Sequence, residues 1–247
     1  MKALIIAAGG GERLRPYTLK SPKPLIKILE KRLIEWIILS ARKSGILDFV
    51  VVVGYLGDKI REFLKDGERF RVRIKYIENS EWEKSNGISV LKGRKLIKGN
   101  FVLLMSDHLF DSRILDDLLD YGIGKKECVL CVDENLKDIF DTKNTTKVLV
   151  SENKVLRIGK SLKIFNAIDT GIFLCSPHIF EVLDENIKRG LPSLTDSIRT
   201  LAKQKKMLAK DIKGRFWMDI DTPKDLSYTE LLLKKWGGLN KSLGLSM

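Results

Sequence analysis

The sequence predicts an α/β fold: a three-layer sandwich, with helices on both faces of a mixed, mostly parallel sheet and a small inserted β region. Three observations predict it. The first part of the chain alternates short apolar runs with stretches of helical spacing, the pattern of parallel strands joined by crossover helices. A glycine-rich turn follows the first apolar run, where a buried strand would end at a ligand-binding edge. The 247 residues are 44% hydrophobic, enough for a full core, and no linker is long or flexible enough to split them. Residues 1–247 are therefore expected to form one domain.

The elements follow in order. Ala3 to Ala8 is a buried strand. Arg32 to Lys43 carries apolar residues at 33, 34, 37, 38 and 41, which predicts a helix stopped by Gly45. Phe49–Val53 is a strand, Asp58–Lys65 a short helix and Val72–Ile77 a third strand. A polar loop from Glu78 enters a helix over Ile88–Ile97, and Phe101–Met105 is the next buried strand. A helix over Arg113–Leu119 leads to the strand that begins at Cys128. From Asp133 to Phe165 the chain turns polar, with short strands at Lys147–Val150 and Val155–Ile158, which read as the inserted β region. Ile172–Cys175 is a strand, Pro177 starts a helix and Ser193 caps another. A final helix begins at Pro223 and ends near Gly237.

The stretch Met1–Ile26 carries the clearest chemistry. After the first strand come Gly9, Gly10 and Gly11, then Glu12-Arg13 and a loop holding Pro22-Lys23-Pro24. Backbone N–H groups of such a turn can point at anionic oxygens, and Arg13, Arg15, Lys20 and Lys23 add cations. This is a polyphosphate cradle, but not either common kind. A P-loop needs Gly-Lys-Ser/Thr, and Gly11 is followed by Glu12-Arg13; a dinucleotide fingerprint needs a further glycine where Leu14 stands.

Composition excludes other classes. The net charge of +13 invites a nucleic-acid reading, but the lysines are spread out and aromatics are only 8%, with no basic–aromatic interleaving. A diffuse positive field suits a small polyanionic substrate instead, so no nucleic-acid partner is expected. Three cysteines argue against a disulfide framework, and Cys128 and Cys131 would face opposite sides of a strand. No run is of membrane-spanning length and Met1-Lys2 leads directly into the first strand, so a cytoplasmic location is expected. Abundant lysine and glutamate with one glutamine, Gln204, point to a thermophilic source.

Asp107 ends a strand on the side of the cradle, a fit position for a Mg²⁺ ligand, although an Asp there also suits a helix cap. Asp219 and Asp221, two apart on an extended segment, share one face and are the best second ligands; Asp221 can also merely cap the Pro223 helix, as can Thr222. His178 reads as a surface helix start, whereas His108 lies where it could touch substrate or metal-bound water. Tyr228–Trp236 reads as a packed C-terminal helix and Lys203–Lys206 as a solvated helix end.

Gly9-x-Gly11-x-Arg13 with Pro22-Lys23-Pro24-Leu25, then Ser106-Asp107 and Trp217-x-Asp219, occur in the order seen in sugar-phosphate nucleotidyltransferases, and the whole chain resembles that family. Asn86-Gly87-x-Ser89, Gly159-Lys160, Asn166 to Gly171 and Asp219-Ile220-Asp221-Thr222-Pro223 look most like its CTP-dependent branch. The resemblance implies a Rossmann-like nucleotide-diphospho-sugar transferase fold. It also implies Mg²⁺-dependent transfer of a cytidylyl group from CTP to inositol 1-phosphate, giving CDP-inositol and pyrophosphate. UTP-, dTTP- or GTP-dependent hexose-1-phosphate enzymes and phosphocholine cytidylyltransferases are the neighbouring activities. A regulatory nucleotide-binding subunit is the non-enzymatic one. Some members are fused to a membrane alcohol-transferase domain, so a membrane CDP-alcohol transferase is the functional partner implied.

By the same resemblance Ala8, Gly9, Gly10, Gly11, Arg13, Lys23 and Ser106 would hold the nucleotide, with Asn79, Asn86 and Gly87 along the base. Arg13, Lys23 and Asp107 would be catalytic, and Asp107 with Asp219 or Asp221 would hold Mg²⁺. Lys160 would meet the acceptor phosphate, with Asn166, Asp169, Thr170 and Gly171 facing the acceptor. Many members have Gly before the first metal Asp and Gly-Thr after the second. Here Ser106 and Asp221-Thr222 stand there, which leaves the choice between Asp219 and Asp221 open. An acceptor phosphate is already ionised at neutral pH, so attack on the α-phosphorus needs neither a protein nucleophile nor a base.

Overall fold

The computed structural model describes residues 1–138 and 145–235. Part of the polar 133–165 region and the expected helix end near Gly237 lie outside the described residues. The chain runs β1 (Lys2–Ala7), β2 (Lys27–Ile28), β3 (Lys31–Arg32), α1 (Leu33–Lys43), β4 (Asp48–Val53), α2 (Gly57–Leu64), β5 (Arg73–Glu78) and α3 (Asn86–Lys92). It continues β6 (Phe101–Met105), β7 (His108–Phe110), α4 (Ser112–Tyr121), β8 (Cys128–Asp133), β9 (Lys147–Ser151), β10 (Lys154–Gly159) and β11 (Ala167–Cys175). The last elements are α5 (His178–Lys188), α6 (Leu194–Lys203), β12 (Met207–Asp211), β13 (Trp217–Asp219) and α7 (Pro223–Lys235).

Nine described strands form one sheet in the order β5-β4-β1-β6-β11-β8-β12-β10-β9. The first four are parallel, as the alternating pattern predicts. β11 then runs antiparallel to both β6 and β8, so the second half is mixed. The expected inserted β region is the β9–β10 hairpin, which prolongs the main sheet by pairing with β11 and β12.

Alternation along the strands explains the three layers. In β1, Ala3, Ile5 and Ala7 face one core together with Ile34, Ile37 and Ile38 of α1 and Leu115 of α4. Leu4 and Ile6 face the other, with Phe180 and Leu183 of α5 and Ile198 and Leu201 of α6. Cys128 and Cys131 fall into opposite cores, as their spacing requires. A third, smaller core of Leu14, Ile28, Leu33, Trp36, Leu109, Ile220 and Leu233 ties the glycine-rich loop, α1 and α7 together. It holds the walls of the cleft described next.

The expected helix over 88–97 starts two residues earlier, at Asn86, and continues after Lys92 as a 3₁₀ turn over Gly93–Lys95. Gly93 lies against Leu4: a Cβ there would stand 2.6 Å from Leu4 Cδ2, so only glycine lets the helix end sit this close to the sheet. The strands β2, β3, β7, β12 and β13 are additions to the sequence reading.

Candidate active site

The cleft lies at the carboxyl ends of β4, β1 and β6, the position an open α/β sheet offers a ligand. A cavity of about 410 Å³ is lined there by, among others, Gly9, Gly11, Arg13, Lys23, Asn86, Ser106, Asp107 and Asp221. Gly9, Gly11, Arg13, Lys23, Asn86 and Ser106 of the residues expected to hold a nucleotide thus converge on one cavity from segments far apart in sequence, whereas Ala8, Gly10, Asn79 and Gly87 do not line it. Gly11 adopts a left-handed φ of 64°, and a Cβ there would stand 2.9 Å from Lys23 Cβ and 3.0 Å from Thr18 Cγ2. The missing side chain lets the lysine segment close over the loop. Thr18 Oγ1 donates to the Gly11 carbonyl and holds the two together.

Lys23 is 7% exposed, in a 3₁₀ turn set by Pro22 and Pro24. Its Nζ bridges Asp107 Oδ2 at 2.6 Å and Asp221 Oδ1 at 2.7 Å. Arg13 takes the other Asp221 oxygen at 2.6 Å. Burial opposes the charge on Lys23, but the three aspartates outweigh it and push its pKa above the ordinary value. Burial alone would raise Asp107, yet Lys23 and His108 hold it well below the usual carboxylate range. For Asp221, burial is likewise outweighed by Lys23, and the net direction is down.

The short β7–β13 ladder completes the site. It sets Asp219 opposite His108, and the Ile220 N–H donates to the Asp107 carbonyl. His108 Nδ1 lies 2.7 Å from Asp107 Oδ1, and its ring stacks on Trp217 at 6.3 Å between centroids. Asp219 Oδ1 is buried without a hydrogen bond, and its contact with His108 Nδ1 is long, at 3.9 Å. Burial raises Asp219 to about 7. The cap of α7 is Thr222 and not Asp221: Thr222 Oγ1 accepts from the Asp225 N–H, and the Asp225 carboxylate accepts from Thr222 N and Oγ1.

These residues fit a divalent cation. Asp107, His108 and Asp219 bring ligand atoms within 4.8 Å of one another. Asp219 Oδ1 is the oxygen left without a hydrogen bond, and a buried carboxylate oxygen so placed is costly unless a cation meets it. Carboxylate oxygens are hard donors, the kind Mg²⁺ prefers.

His108 also makes the metal-free site pH-sensitive. Burial lowers its pKa, Asp219 and Asp107 more than compensate, and it rises from 6.5 to about 9. The protonated ring therefore stabilises the fold fully below about pH 6.5, and that stability is lost as pH rises through about 9. The shift corresponds to about 3 kcal/mol at most. Thermal melts in EDTA are expected to fall across this window for the native protein and to flatten in His108→Gln. Parallel pH profiles for the two proteins would refute the pairing.

The other expected residues are placed as follows. Ala8 is buried, and its carbonyl accepts from the Tyr55 N–H. Gly10 faces Trp82, 3.2 Å from a Cβ position to Cζ3. Asn79 is fully buried, bonded to Ser89 Oγ and to the Glu81 N–H, so it braces the loop under the cleft. Gly87 packs on the backbone before α6, where a Cβ would stand 2.2 Å from the Pro192 carbonyl oxygen. On the other side, an irregularity in β11 places Asp169 and Gly171 beside His108; Gly171 has φ 72°, and its Cβ position is 2.6 Å from His108 Cδ2. Burial raises Asp169 to about 6. Thr170 is fully buried and donates to the Cys131 carbonyl, and Asn166 pairs with the backbone of Val150. Neither side chain is directed to the aspartate cluster. Lys160 stands exposed in the turn after β10.

Sequence reasoning missed Trp82, which lines the same cavity. The available signal was one large aromatic inside an otherwise polar loop.

The family profile described as nucleotidyl transferase matches residues 2–235. A bifunctional IPC transferase and DIPP synthase of Aquifex aeolicus is 35% identical over 235 residues, which is 94% of this chain and 52% of the relative. A bifunctional protein GlmU of Methanococcus maripaludis is 32% identical over 237 residues, 92% of this chain and 53% of the relative. The chain spans about half the length of these curated relatives. The solved structure of the inositol-1-phosphate CTP transferase from T. maritima matches with a TM-score of 0.85 at 26% identity, covering 100% of this chain and 98% of that one. The match to that solved structure and the observed sheet agree on the fold, an α/β mixed sheet with helices on both faces.

Proposed function

Because the chain belongs to the nucleotidyl transferase family, we propose that it transfers a cytidylyl group from CTP to inositol 1-phosphate. The products are CDP-inositol and pyrophosphate. The observation that carries the reading is the meeting of Lys23, Arg13, Asp107, Asp219 and Asp221 at the glycine loop. The choice of CTP and inositol 1-phosphate is supported by the named activity of the T. maritima structure and by the IPC transferases among the relatives.

The cleft supplies what the reaction needs. The Gly9–Gly11 turn and Arg13 receive the triphosphate, and Lys23 sits beside the reacting phosphorus. An acceptor phosphate oxygen attacks the α-phosphorus, the bond to the β-phosphate oxygen breaks, and pyrophosphate leaves with that electron pair. No proton has to move, so the cations act by positioning and charge neutralisation. Asp107 and Asp219 would hold Mg²⁺, which supplies further neutralisation of the phosphate oxygens. The acceptor would approach from the Asp169–Gly171 side, with Lys160 reaching its phosphate. A membrane CDP-alcohol transferase would consume the product.

With Mg²⁺, CTP and inositol 1-phosphate the purified protein is expected to release pyrophosphate. UTP, dTTP and GTP, and hexose 1-phosphates or phosphocholine as acceptors, form the comparison panel. Release only with a different pair would reassign the substrates; release with none would remove the catalytic reading.

A further inference from the structure

The cleft has two ends, and the strand order tells them apart. Asp107 follows β6 on one side of β1. Trp82 follows β5 and lies over Gly54, after β4, and over Gly10, after β1. With triphosphate at Lys23 and Asp107, a nucleoside laid along the same cavity would reach across β1 toward Trp82. The indole borders the same cavity.

Packing holds this indole from the strand side. Gly54 fits beneath it only because it lacks a side chain: a Cβ there would stand 2.5 Å from Trp82 Cβ and 2.9 Å from Cγ. Gly10 meets its edge, with 3.2 Å from a Cβ position to Cζ3. Tyr55 packs on it with ring centroids 5.2 Å apart, and the Tyr55 hydroxyl is anchored on the Thr18 carbonyl at 3.1 Å. The loop carrying Trp82 is pinned at its start by Asn79, through Ser89 Oγ and the Glu81 N–H. Fixed walls of this kind discriminate by size, because a larger ligand must either distort packed groups or stay out.

We infer that Trp82 is the base-side wall of the nucleotide cleft and restricts it to pyrimidine nucleoside triphosphates. The inference rests on the triphosphate site proposed above, but not on which pyrimidine or which acceptor is used. Within it, Gly10 and Gly54 serve as the notches that let the indole sit close to the strand ends. Trp82 is a specificity-determining residue, not a catalytic one.

The test is equilibrium binding of CTP, UTP, ATP and GTP with Mg²⁺, by calorimetry and without any acceptor. It is run on the native protein, Trp82→Phe and Trp82→Ala, each checked for a native-like melt. The native protein is expected to bind both pyrimidine nucleotides at least about tenfold more tightly than both purine ones. In Trp82→Ala that ratio should collapse toward one, by gain of purine binding and loss of pyrimidine binding, with Trp82→Phe between. A ratio near one in the native protein, or one unchanged in both variants, overturns the wall. Binding of no triphosphate by the native protein overturns the parent reading instead.

Discussion

Asp219→Asn is expected to lower turnover by at least about 10³-fold while leaving the metal-free protein as stable as the native one, or more so. Both halves come from one feature: the buried Asp219 oxygen that makes no hydrogen bond. Without a cation, a partly buried carboxylate next to Asp107 and Asp221 is a cost, which is why its pKa is raised to about 7. An amide removes that cost. With the cation and nucleotide present, the same change removes a ligand and several kcal/mol of charge stabilisation from the transition state. Steady-state kinetics at saturating CTP and melts in EDTA check the two halves. If stability falls as much as activity, Asp219 is a structural residue and the metal assignment moves to Asp221.

Lys23→Met should behave in the opposite way. Lys23 is buried between two carboxylates, and removing one partner of a buried ionic cluster typically costs about 3–5 kcal/mol. For a chain of this size, that corresponds to a melting temperature lower by roughly 6–20 °C in EDTA. Divalent metal should then stabilise the variant more than the native protein, because it restores positive charge among Asp107, Asp219 and Asp221. Turnover should stay low even where metal rescues stability, since Lys23 also lies beside the reacting phosphorus in the proposed pose. Equal metal-induced shifts in the two proteins would mean that Lys23 and the metal do not share the cluster.

These two residues also mark where the sequence was legible. The cradle was readable because its constraints are local: a buried strand, glycines, an arginine and a Pro-Lys-Pro segment within 26 residues. The parallel half of the sheet followed from the alternation of apolar runs and helical spacing. The antiparallel course of β11 did not, because a strand buried on both faces has the same pattern whichever way it runs. The pairing of Lys23 with Asp107 and Asp221 spans 84 and 198 residues, which no local pattern encodes. The choice between Asp219 and Asp221 stayed open for a related reason. It depends on β7 and β13, two three-residue strands that only tertiary pairing creates, and on Thr222, with Asp225, taking the helix cap. Trp82 was hidden because its place is set by the absence of side chains at Gly10 and Gly54 on two other strand ends.

The central claim is that this cleft joins its two substrates directly, with positioned charge and no protein nucleophile. The measurement that tests it most directly is the stereochemical course at the α-phosphorus, with a single diastereomer of the α-thio analogue of CTP and inositol 1-phosphate as acceptor. One in-line displacement predicts inversion. Retention would require a covalent nucleotidyl-enzyme intermediate and would contradict the account.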